Sequence, residues 1–463
     1  MSKVLLLNPP NDLLCMRDYF CSKISKGAHC YHPVDFVVLS GILSAQHQLS
    51  LVDAVIERLD FKGALDAVRR CNPDVIIFLT GVVSFEDDGP FLSEVARLTN
   101  ARMIGLGDVF LESPEKIFDL WHWLDAVLLD FTTDDVLRLV ADQLQATKNA
   151  IVRMGDGRVV SFPIVHEKGD WALMTPLHEL FLSLNYSFPF SRRNKFATVL
   201  TNFGCPYACD YCTVSRFAYK ERAVEDLQLE FNKLQDLGIK EIFFKDQAFG
   251  TERKRILKIC DELSNRNVPF GWTCFLRPEL ADPIILEKMA LAGCHTIIFG
   301  VESGDEVVRS IYRREYTDRL LKDIFSLCRH FGIETVATFM MGLPGETRTS
   351  LEKTIRLAKA LECDYASFNV FVPAYGTSLR RRLIADGIIP GGFMFMDSGV
   401  SRPCFSTDSL NADVVWSMRN KALAEFYARP SFLIKMILKA GSFSRLLCHL
   451  KEGWAIMMSR GSI

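Results

Sequence analysis

The stretch that decides the fold reads Gly204-Cys205-Pro206-Tyr207-Ala208-Cys209-Asp210-Tyr211-Cys212 and sets three cysteines in a C-x3-C-x2-C pattern. It follows the apolar, β-branched run 197–201, so the cysteines are expected in a short loop directly after a strand. A structural zinc site usually has four protein ligands, and no fourth Cys or His lies nearby in the sequence. Three thiolates suit a [4Fe–4S] cluster that leaves one iron open to an outside ligand.

The alternative is three unrelated core cysteines, because free Cys is among the most buried residue types. The chain contains 14 Cys, so a chance triplet has to be weighed. The Gly, Pro and polar neighbours of the triplet are typical of a loop and not of a packed core. The pattern therefore favours the cluster.

With Tyr211 directly before the last cysteine, the motif resembles that of the radical S-adenosylmethionine (radical SAM) enzymes. Iron–sulfur chemistry with S-adenosylmethionine is a recognised source of radicals. The resemblance implies that the open iron takes the amino and carboxylate groups of S-adenosylmethionine, and that an electron from the cluster breaks the C–S bond to give a 5′-deoxyadenosyl radical. It implies a reductant such as flavodoxin or ferredoxin. The cluster ligands and catalytic residues would be Cys205, Cys209 and Cys212.

Strand–helix units continue over residues 193–385, beyond the cysteine loop. Apolar runs predict strands at 241–245, 270–275, 296–300, 335–341 and 365–370. With the strand before the cysteines they make six, which predicts a partial (β/α)6 barrel whose site lies at the carboxyl ends of the strands.

Polar residues and glycines follow these strands and are the expected cofactor contacts. Asp246 is expected to bind the ammonium of the methionyl group, and its alternative role is to cap the next helix as a loop carboxylate. Arg277 suits a carboxylate. The other contacts that the resemblance implies are Tyr211, Glu302, Ser303 and Gly342.

Residues 1–146 alternate apolar strands, at 4–7, 49–55, 74–79, 103–107 and 125–130, with helical stretches. This alternation predicts a doubly wound (Rossmann- or flavodoxin-like) parallel sheet that binds any ligand at the carboxyl ends of its strands. It is similar to the cobalamin-binding domain that precedes the radical core in one large subgroup. The small residues expected near a corrinoid are Thr80, Gly81 and Gly107.

Two features depart from that subgroup. No His stands in a D-x-H-x-x-G motif, so cobalamin is expected to bind without a His–cobalt bond. The turns after the fourth and fifth strands read Leu106-Gly107-Asp108-Val109 and Asp130-Phe131-Thr132-Thr133, which differ from the usual glycine-rich forms. The alternative is a sheet that only buttresses the barrel.

The remaining segments carry less chemistry. Residues 147–192 predict a connector with a hairpin that turns at Asp156-Gly157. Residues 386–463 predict helices that cap the barrel, although the basic amphipathic stretch 443–458 also suits peripheral membrane contact. We expect Cys15, Cys21 and Cys30 to be unpaired thiols. Arg313 and Arg314 could reach a carboxylate or a substrate anion, whereas two adjacent arginines on a helix are more often solvated.

The composition is globular, with 49% hydrophobic and 24% charged residues. A net charge of −2 gives no indication of nucleic acid binding. The first residues resemble neither a signal peptide nor a membrane span, which predicts a cytoplasmic enzyme whose cysteines are thiols or metal ligands.

The predicted function is radical SAM chemistry on an unactivated carbon of a small molecule, with cobalamin-dependent C-methylation as the favoured reaction. A second hypothesis is a cobalamin-independent rearrangement, cyclisation or C–C bond formation on an apolar or lipid-like substrate. A third, non-enzymatic hypothesis is a Cys-rich metal-binding scaffold.

Overall fold

The computed structural model describes residues 1–430, 432 and 434, apart from residues 28, 145, 146 and 248. Its first part contains, in order, β1 (Lys3–Asn8), β2 (Cys15–Asp18), β3 (Cys21–Ile24), α1 (Val34–Ser44), β4 (Gln48–Asp53), α2 (Phe61–Cys71), β5 (Val75–Leu79), α3 (Phe85–Leu98), β6 (Arg102–Leu106), the 3₁₀ helix Asp108–Leu111, α4 (Pro114–Leu120), β7 (Ala126–Leu128), α5 (Asp135–Val140), β8 (Ala150–Arg153) and β9 (Val159–Ser161).

Seven of these strands form one sheet in the order β4-β1-β5-β6-β7-β8-β9. The strands from β4 to β7 are parallel, and helices cover both faces. Accordingly β5 is buried throughout and β1 is buried beyond Lys3, as the continuous apolar runs predict. The doubly wound sheet is confirmed. The predicted hairpin at Asp156-Gly157 is also present, and both of its strands, β8 and β9, extend this sheet antiparallel.

The second part contains, in order, β10 (Gly169–Asp170), α6 (Glu179–Leu182), β11 (Ala197–Val199), β12 (Asn202–Phe203), the 3₁₀ helix Thr213–Arg216, β13 (Lys220–Glu221), α7 (Val224–Asp236), β14 (Glu241–Phe244), α8 (Arg253–Ser264), β15 (Gly271–Leu276), the 3₁₀ helix Pro278–Leu280, α9 (Pro283–Leu291), β16 (Cys294–Glu302), α10 (Glu306–Ile311), α11 (Asp318–His330), β17 (Glu334–Met341), α12 (Arg348–Ala360), β18 (Tyr365–Val370), α13 (Ser378–Ala385) and α14 (Ala412–Tyr427).

Six parallel strands form the second large sheet in the order β11-β14-β15-β16-β17-β18, so the partial (β/α)6 barrel is confirmed. The outward side chains of these strands pack against the helices in one large apolar core. Because all six strands are parallel, their carboxyl ends meet on one rim. The loops after them carry most of the predicted site residues.

The two parts share a core. Phe243, Ile298 and Val336 from barrel strands belong to the same apolar cluster as residues of β1 and α1 in the first part. Phe188, from the segment between the two sheets, stacks on Phe243 with ring centroids 4.0 Å apart. This shared packing fixes how the first sheet faces the barrel.

The last described helix, α14, packs against β18 and α12 and buries Trp416, Ala422 and Phe426. It forms the described part of the predicted helical tail and covers one side of the barrel. The predicted amphipathic stretch 443–458 lies outside the described residues. Within the described part of the chain, no helix has the length and apolar character needed to span a membrane.

Candidate functional site

The three motif cysteines lie in one loop that leaves β12 and ends at the 3₁₀ helix Thr213–Arg216. Gly204 starts the loop with φ at 78°, and a Cβ there would lie 2.3 Å from the carbonyl oxygen of Ala218. Only glycine suits both the backbone angle and this close approach. The N–H of Cys212 donates to the carbonyl of Cys209 at 3.1 Å, which folds the loop back on itself.

The thiols of this loop are neighbours in a poorly solvated place. Cys209 is buried, Cys205 and Cys212 are half-buried, and burial raises the pKa of Cys212 to about 12. A bound metal would reverse this preference, because coordination deprotonates a thiol outright. No group of three or more His, Cys, Asp or Glu side chains is placed to hold a metal ion in the part of the chain that the structure describes. A [4Fe–4S] cluster does not require three ligands around one metal ion, because each thiolate binds a different iron.

Arg277 lies over the cysteine loop. Its guanidinium is 3.7 Å from the ring centroid of Tyr207, and Nη1 is 3.8 Å from Sγ of Cys209. Its Nε donates to Glu279 at 2.6 Å. The carboxylate partner of Arg277 in this structure is therefore a residue of the same loop.

A second cation near the cysteine loop is Arg314, which lies between α10 and α11. Nη2 of Arg314 donates to Oε1 of Glu302 at 3.0 Å, and Nε donates to the Tyr211 hydroxyl at 3.1 Å. Arg313 is exposed, as expected of a solvated arginine, whereas the side chain of Arg314 is only 12% exposed and takes the other expected role, contact with a carboxylate. Sequence patterns do not distinguish the two arginines, because the partners of Arg314 lie 12 and 103 residues away.

Glu302 ends β16 with φ at 63°, a left-handed backbone that is uncommon for a residue with a side chain. The pairing with β17 shifts register between Gly300 and Glu302. Such strain persists only where the surroundings hold it, and it is concentrated at functional sites. Here it directs the carboxylate towards Arg314.

Asp246 lies at the base of the cysteine loop and is fully buried. Its Oδ1 accepts from the N–H groups of Thr201 and Asn202, both at 2.7 Å, so half of this carboxylate holds the strand end. Its Oδ2 has no hydrogen-bond partner among the residues that the structure describes. Burial raises the pKa of Asp246 to about 6. These hydrogen bonds are therefore with the junction of β11 and β12 and not with the next helix, α8.

Asp246→Asn and Asp246→Ala separate the two uses of this side chain. Asn retains an acceptor for both N–H groups, so we expect its melting temperature to match or exceed that of the wild type at pH 8. Ala leaves two buried donors unpaired and should lower the melting temperature clearly, at about 1–3 kcal/mol for each unpaired group. Because the folded pKa is raised, the wild type should lose stability as pH rises from 4 to 6, and the Asn variant should not. Equal melting curves for Asn and Ala at pH 8 would contradict the holding role.

Ser303 and Gly342 join two neighbouring loops of the rim. The Ser303 hydroxyl donates to Oε1 of Glu346 at 3.3 Å, and Oε2 of Glu346 accepts from the N–H of Gly342 at 2.7 Å. Gly342 has φ at 92°, and a Cβ would lie 2.9 Å from Val415 of α14. Ser303 and Gly342 thus fix the backbone of the two loops through their contacts with Glu346. Glu346 is buried, and the sequence pattern did not predict this role for it.

The predicted corrinoid contacts of the first sheet are covered by the chain itself. A Cβ on Gly81 would lie 2.2 Å from Cβ of Ser22, in the β2–β3 hairpin. Gly107 has φ at 152°, and a Cβ there would lie 1.9 Å from the carbonyl oxygen of Thr80. Both glycines are explained by close packing within the protein. Thr80 donates its hydroxyl to Asp88 at 2.8 Å.

Comparison with known proteins agrees with the six-stranded barrel and its cysteine loop. Residues 199–358 match the family model of the radical SAM superfamily. An uncharacterized methyltransferase of Pyrococcus horikoshii is 25% identical over 431 residues, covering 89% of this chain and 91% of that protein. The chain therefore carries a radical SAM domain over residues 199–358.

Two solved structures share the arrangement of both parts. The radical S-adenosylmethionine methyltransferase TsrM from Kitasatospora setae, with cobalamin and a [4Fe–4S] cluster bound, aligns at TM-score 0.68 and 18% identity over 93% of this chain and 90% of its own. The cobalamin-dependent radical enzyme OxsB, with aqua-cobalamin and S-adenosylmethionine bound, aligns at TM-score 0.72 and 14% identity over 99% of this chain and 72% of its own. At these identities the likeness establishes the fold.

The residues present fit two of the three expected cofactors. Three neighbouring thiols beside a guanidinium suit the [4Fe–4S] cluster. Two buried polar atoms near the loop, Oδ2 of Asp246 and Nη1 of Arg314, have no partner within the described part of the chain and suit a polar ligand such as S-adenosylmethionine. The edge of the first sheet does not offer cobalamin a comparable surface, because the β2–β3 hairpin packs on it.

Proposed function

We propose that this chain is an enzyme that cleaves S-adenosylmethionine reductively at a [4Fe–4S] cluster held by Cys205, Cys209 and Cys212, and that the resulting radical takes a hydrogen atom from an unactivated carbon of a small molecule, giving 5′-deoxyadenosine and a substrate radical. The observation that carries the proposal is the position of the three-cysteine loop on the carboxyl rim of a six-stranded partial barrel. In barrels of this kind the chemistry lies on that rim.

The residues around the loop have separable tasks in this proposal. Burial raises the pKa of the Cys205 thiol, and the positive charges of Arg277 and Arg314 offset part of that effect. Glu302, held by Arg314, and Oδ2 of Asp246 offer acceptors to the ammonium of S-adenosylmethionine. The cluster supplies the electron that breaks the C–S bond, and a protein reductant has to replace that electron in each turnover.

Anaerobic reconstitution with iron and sulfide tests this proposal. With S-adenosylmethionine and dithionite, the reconstituted protein is expected to form 5′-deoxyadenosine and methionine slowly even without its substrate, measured by liquid chromatography. A protein that takes up four irons and binds S-adenosylmethionine, but forms neither product, would contradict the proposal. A protein that binds no iron would favour the non-enzymatic hypothesis of a Cys-rich scaffold.

Glu302→Gln tests the positioning of S-adenosylmethionine. We expect its Kd, measured by equilibrium dialysis on the reconstituted protein, to rise about tenfold, because one charge-assisted hydrogen bond to a cation is worth about 1.5–3 kcal/mol. The melting temperature should change little, since Gln keeps the side-chain length and an acceptor for Arg314. Glu315→Gln, on the neighbouring loop, is the control. An unaltered Kd together with a large loss of melting temperature would show that Glu302 is structural.

Two reactions are candidates for the step that follows hydrogen abstraction. C-methylation with cobalamin is supported by the methyltransferase name of the Pyrococcus relative and by the fold of two cobalamin-containing structures. A cobalamin-independent rearrangement, cyclisation or C–C bond formation is favoured by the hairpin that covers the edge of the first sheet. A lipid-like substrate and peripheral membrane contact rest on the sequence pattern of residues 443–458. A reducing, cytoplasmic setting rests on the cysteine content.

A further inference from the structure

The β2–β3 hairpin lies across the carboxyl edge of the first sheet. Its strands pair antiparallel from Cys15–Ile24 to Asp18–Cys21, with Tyr19 and Phe20 at the turn. Both turn residues have positive φ, 56° and 52°, in a position where Asn and Gly are the usual residues. Two aromatic residues in left-handed conformation indicate that the surroundings hold this turn firmly.

Those surroundings are aromatic. Tyr19 stacks on Phe203 at 5.2 Å between ring centroids, and Phe20 lies against Phe131 at 5.7 Å and Phe217 at 5.2 Å. Phe131 follows β7 of the first sheet, whereas Phe203 and Phe217 flank the cysteine loop. The tip of the hairpin therefore fills the space between the edge of the first sheet and the base of the cluster site.

Polar contacts fix the hairpin to the sheet below it. The Asp108 carboxylate accepts from the N–H and hydroxyl of Ser22 at 2.8 and 2.7 Å, and from the N–H of Val82 at 2.9 Å. Arg17 forms an ion pair with Asp88 at 2.6 Å, with both side chains almost wholly buried. These residues come from the loops after β5 and β6 and from α3, where a ligand of a doubly wound sheet would bind.

The hairpin and the segment after it are also tied to the barrel. Lys245, at the end of β14, donates to Asp18 at 2.8 Å. Lys26 donates to Ser367 at 3.0 Å and to Asn369 at 2.7 Å, both on β18. The hairpin and the segment after it thus contact the end of β14 and β18, so displacing the hairpin would break contacts with both strands.

Little room is left beneath it. The cavity between the hairpin and the sheet edge, lined by Arg17, Phe20, Ser22, Thr80 and Gly107, measures about 10 Å³. Sites for drug-sized ligands occupy roughly 300–1,000 Å³, and a corrinoid is larger than such ligands.

We propose that the hairpin Cys15–Ile24 takes the place of a corrinoid in this chain, and that the radical reaction proceeds without cobalamin. The chemical half of this inference rests on the proposed function. The structural half, that no corrinoid enters, stands on the packing alone. The first sheet then acts as a wall of the barrel, and the segment after the hairpin supplies Lys26 to β18.

The test is corrinoid retention by the full chain. Protein is produced with hydroxocobalamin in the medium, reconstituted anaerobically with iron, sulfide and excess hydroxocobalamin, and passed through gel filtration. We expect less than about 0.1 corrinoid per chain, read as the dicyano form after acid release, with the cluster intact. We also expect the same rate of 5′-deoxyadenosine formation with and without the corrinoid. Near-stoichiometric corrinoid in the eluted wild type would overturn the inference.

A pair of glycine variants gives a second readout. Gly81→Ala introduces a methyl group 2.2 Å from Ser22, whereas a Cβ on Gly155 meets nothing within 4 Å. If the hairpin is a permanent part of the fold, Gly81→Ala lowers the melting temperature by several degrees and Gly155→Ala does not. Equal melting temperatures would contradict the permanent packing. Because corrinoid retention is measured without turnover, failure of this inference is distinguishable from failure of S-adenosylmethionine cleavage.

Discussion

Replacing Cys205, Cys209 or Cys212 by Ala is expected to remove most of the bound iron and all formation of 5′-deoxyadenosine. The loop offers thiolates as its cluster ligands, and two of them cannot fix a cube that three hold. A displaced or partly assembled cluster also leaves no open iron in the right position for S-adenosylmethionine. Iron and sulfide content after anaerobic reconstitution, together with product chromatography, measures both effects.

The matched controls are Cys260→Ala and Cys328→Ala. Both thiols are buried on helices at the outside of the barrel, in α8 and α11, and belong to its apolar core. Their loss should lower stability modestly and leave the iron content unchanged. Unchanged iron in all three loop variants would contradict the cluster assignment, even if the variants lost activity.

Arg17→Ala is expected to lower the free energy of unfolding of the first part by about 3–5 kcal/mol, because it leaves the Asp88 carboxylate buried and unpaired. Arg17 also donates to Ser84 at 2.8 Å, to Asn8 at 2.7 Å and to the carbonyl of Pro9 at 3.2 Å, so four acceptors lose a donor together. Urea unfolding followed by tryptophan fluorescence measures the change, since Trp121 and Trp123 lie in the first part.

The control for this variant is Arg97→Ala. Arg97 pairs with Glu94 on the exposed face of α3, and exposed pairs contribute about 0–1 kcal/mol. Equal, small effects of the two variants would mean that the hairpin is not an integral part of the first core. The difference in unfolding free energy between the two variants therefore tests the packing of the hairpin proposed to exclude a corrinoid, and it does so without any cofactor.

The sequence predicted the elements whose pattern is local. The continuous apolar runs at 4–7 and 74–79 correspond to β1 and β5, since a strand covered on both faces needs apolar residues throughout. The cysteine spacing likewise predicted a loop that the barrel places on its rim. Gly81, Gly107 and Gly342 were expected near ligands, whereas their geometry is explained by contacts with the protein's own backbone and side chains.

Contacts between distant segments were not predictable in this way. The hairpin lies in what reads as a long first loop, and its position depends on the Ser22–Asp108 contact across 86 residues. Arg314 looked like one of two solvated arginines until the fold brought Tyr211 and Glu302 beside it. Asp246 was predicted to bind a ligand, and one of its two carboxylate oxygens instead accepts hydrogen bonds from the junction of β11 and β12. In each case the missing information is tertiary.

The measurement that tests the central claim most directly is electron paramagnetic resonance of the reconstituted, dithionite-reduced chain with and without S-adenosylmethionine. A cluster held by only Cys205, Cys209 and Cys212 has one iron open, so S-adenosylmethionine should bind that iron and change the g values of the reduced cluster. We predict a reduced [4Fe–4S] signal that shifts on addition of S-adenosylmethionine and is absent from Cys209→Ala. A full-intensity cluster signal that is unaltered by saturating S-adenosylmethionine would contradict the account.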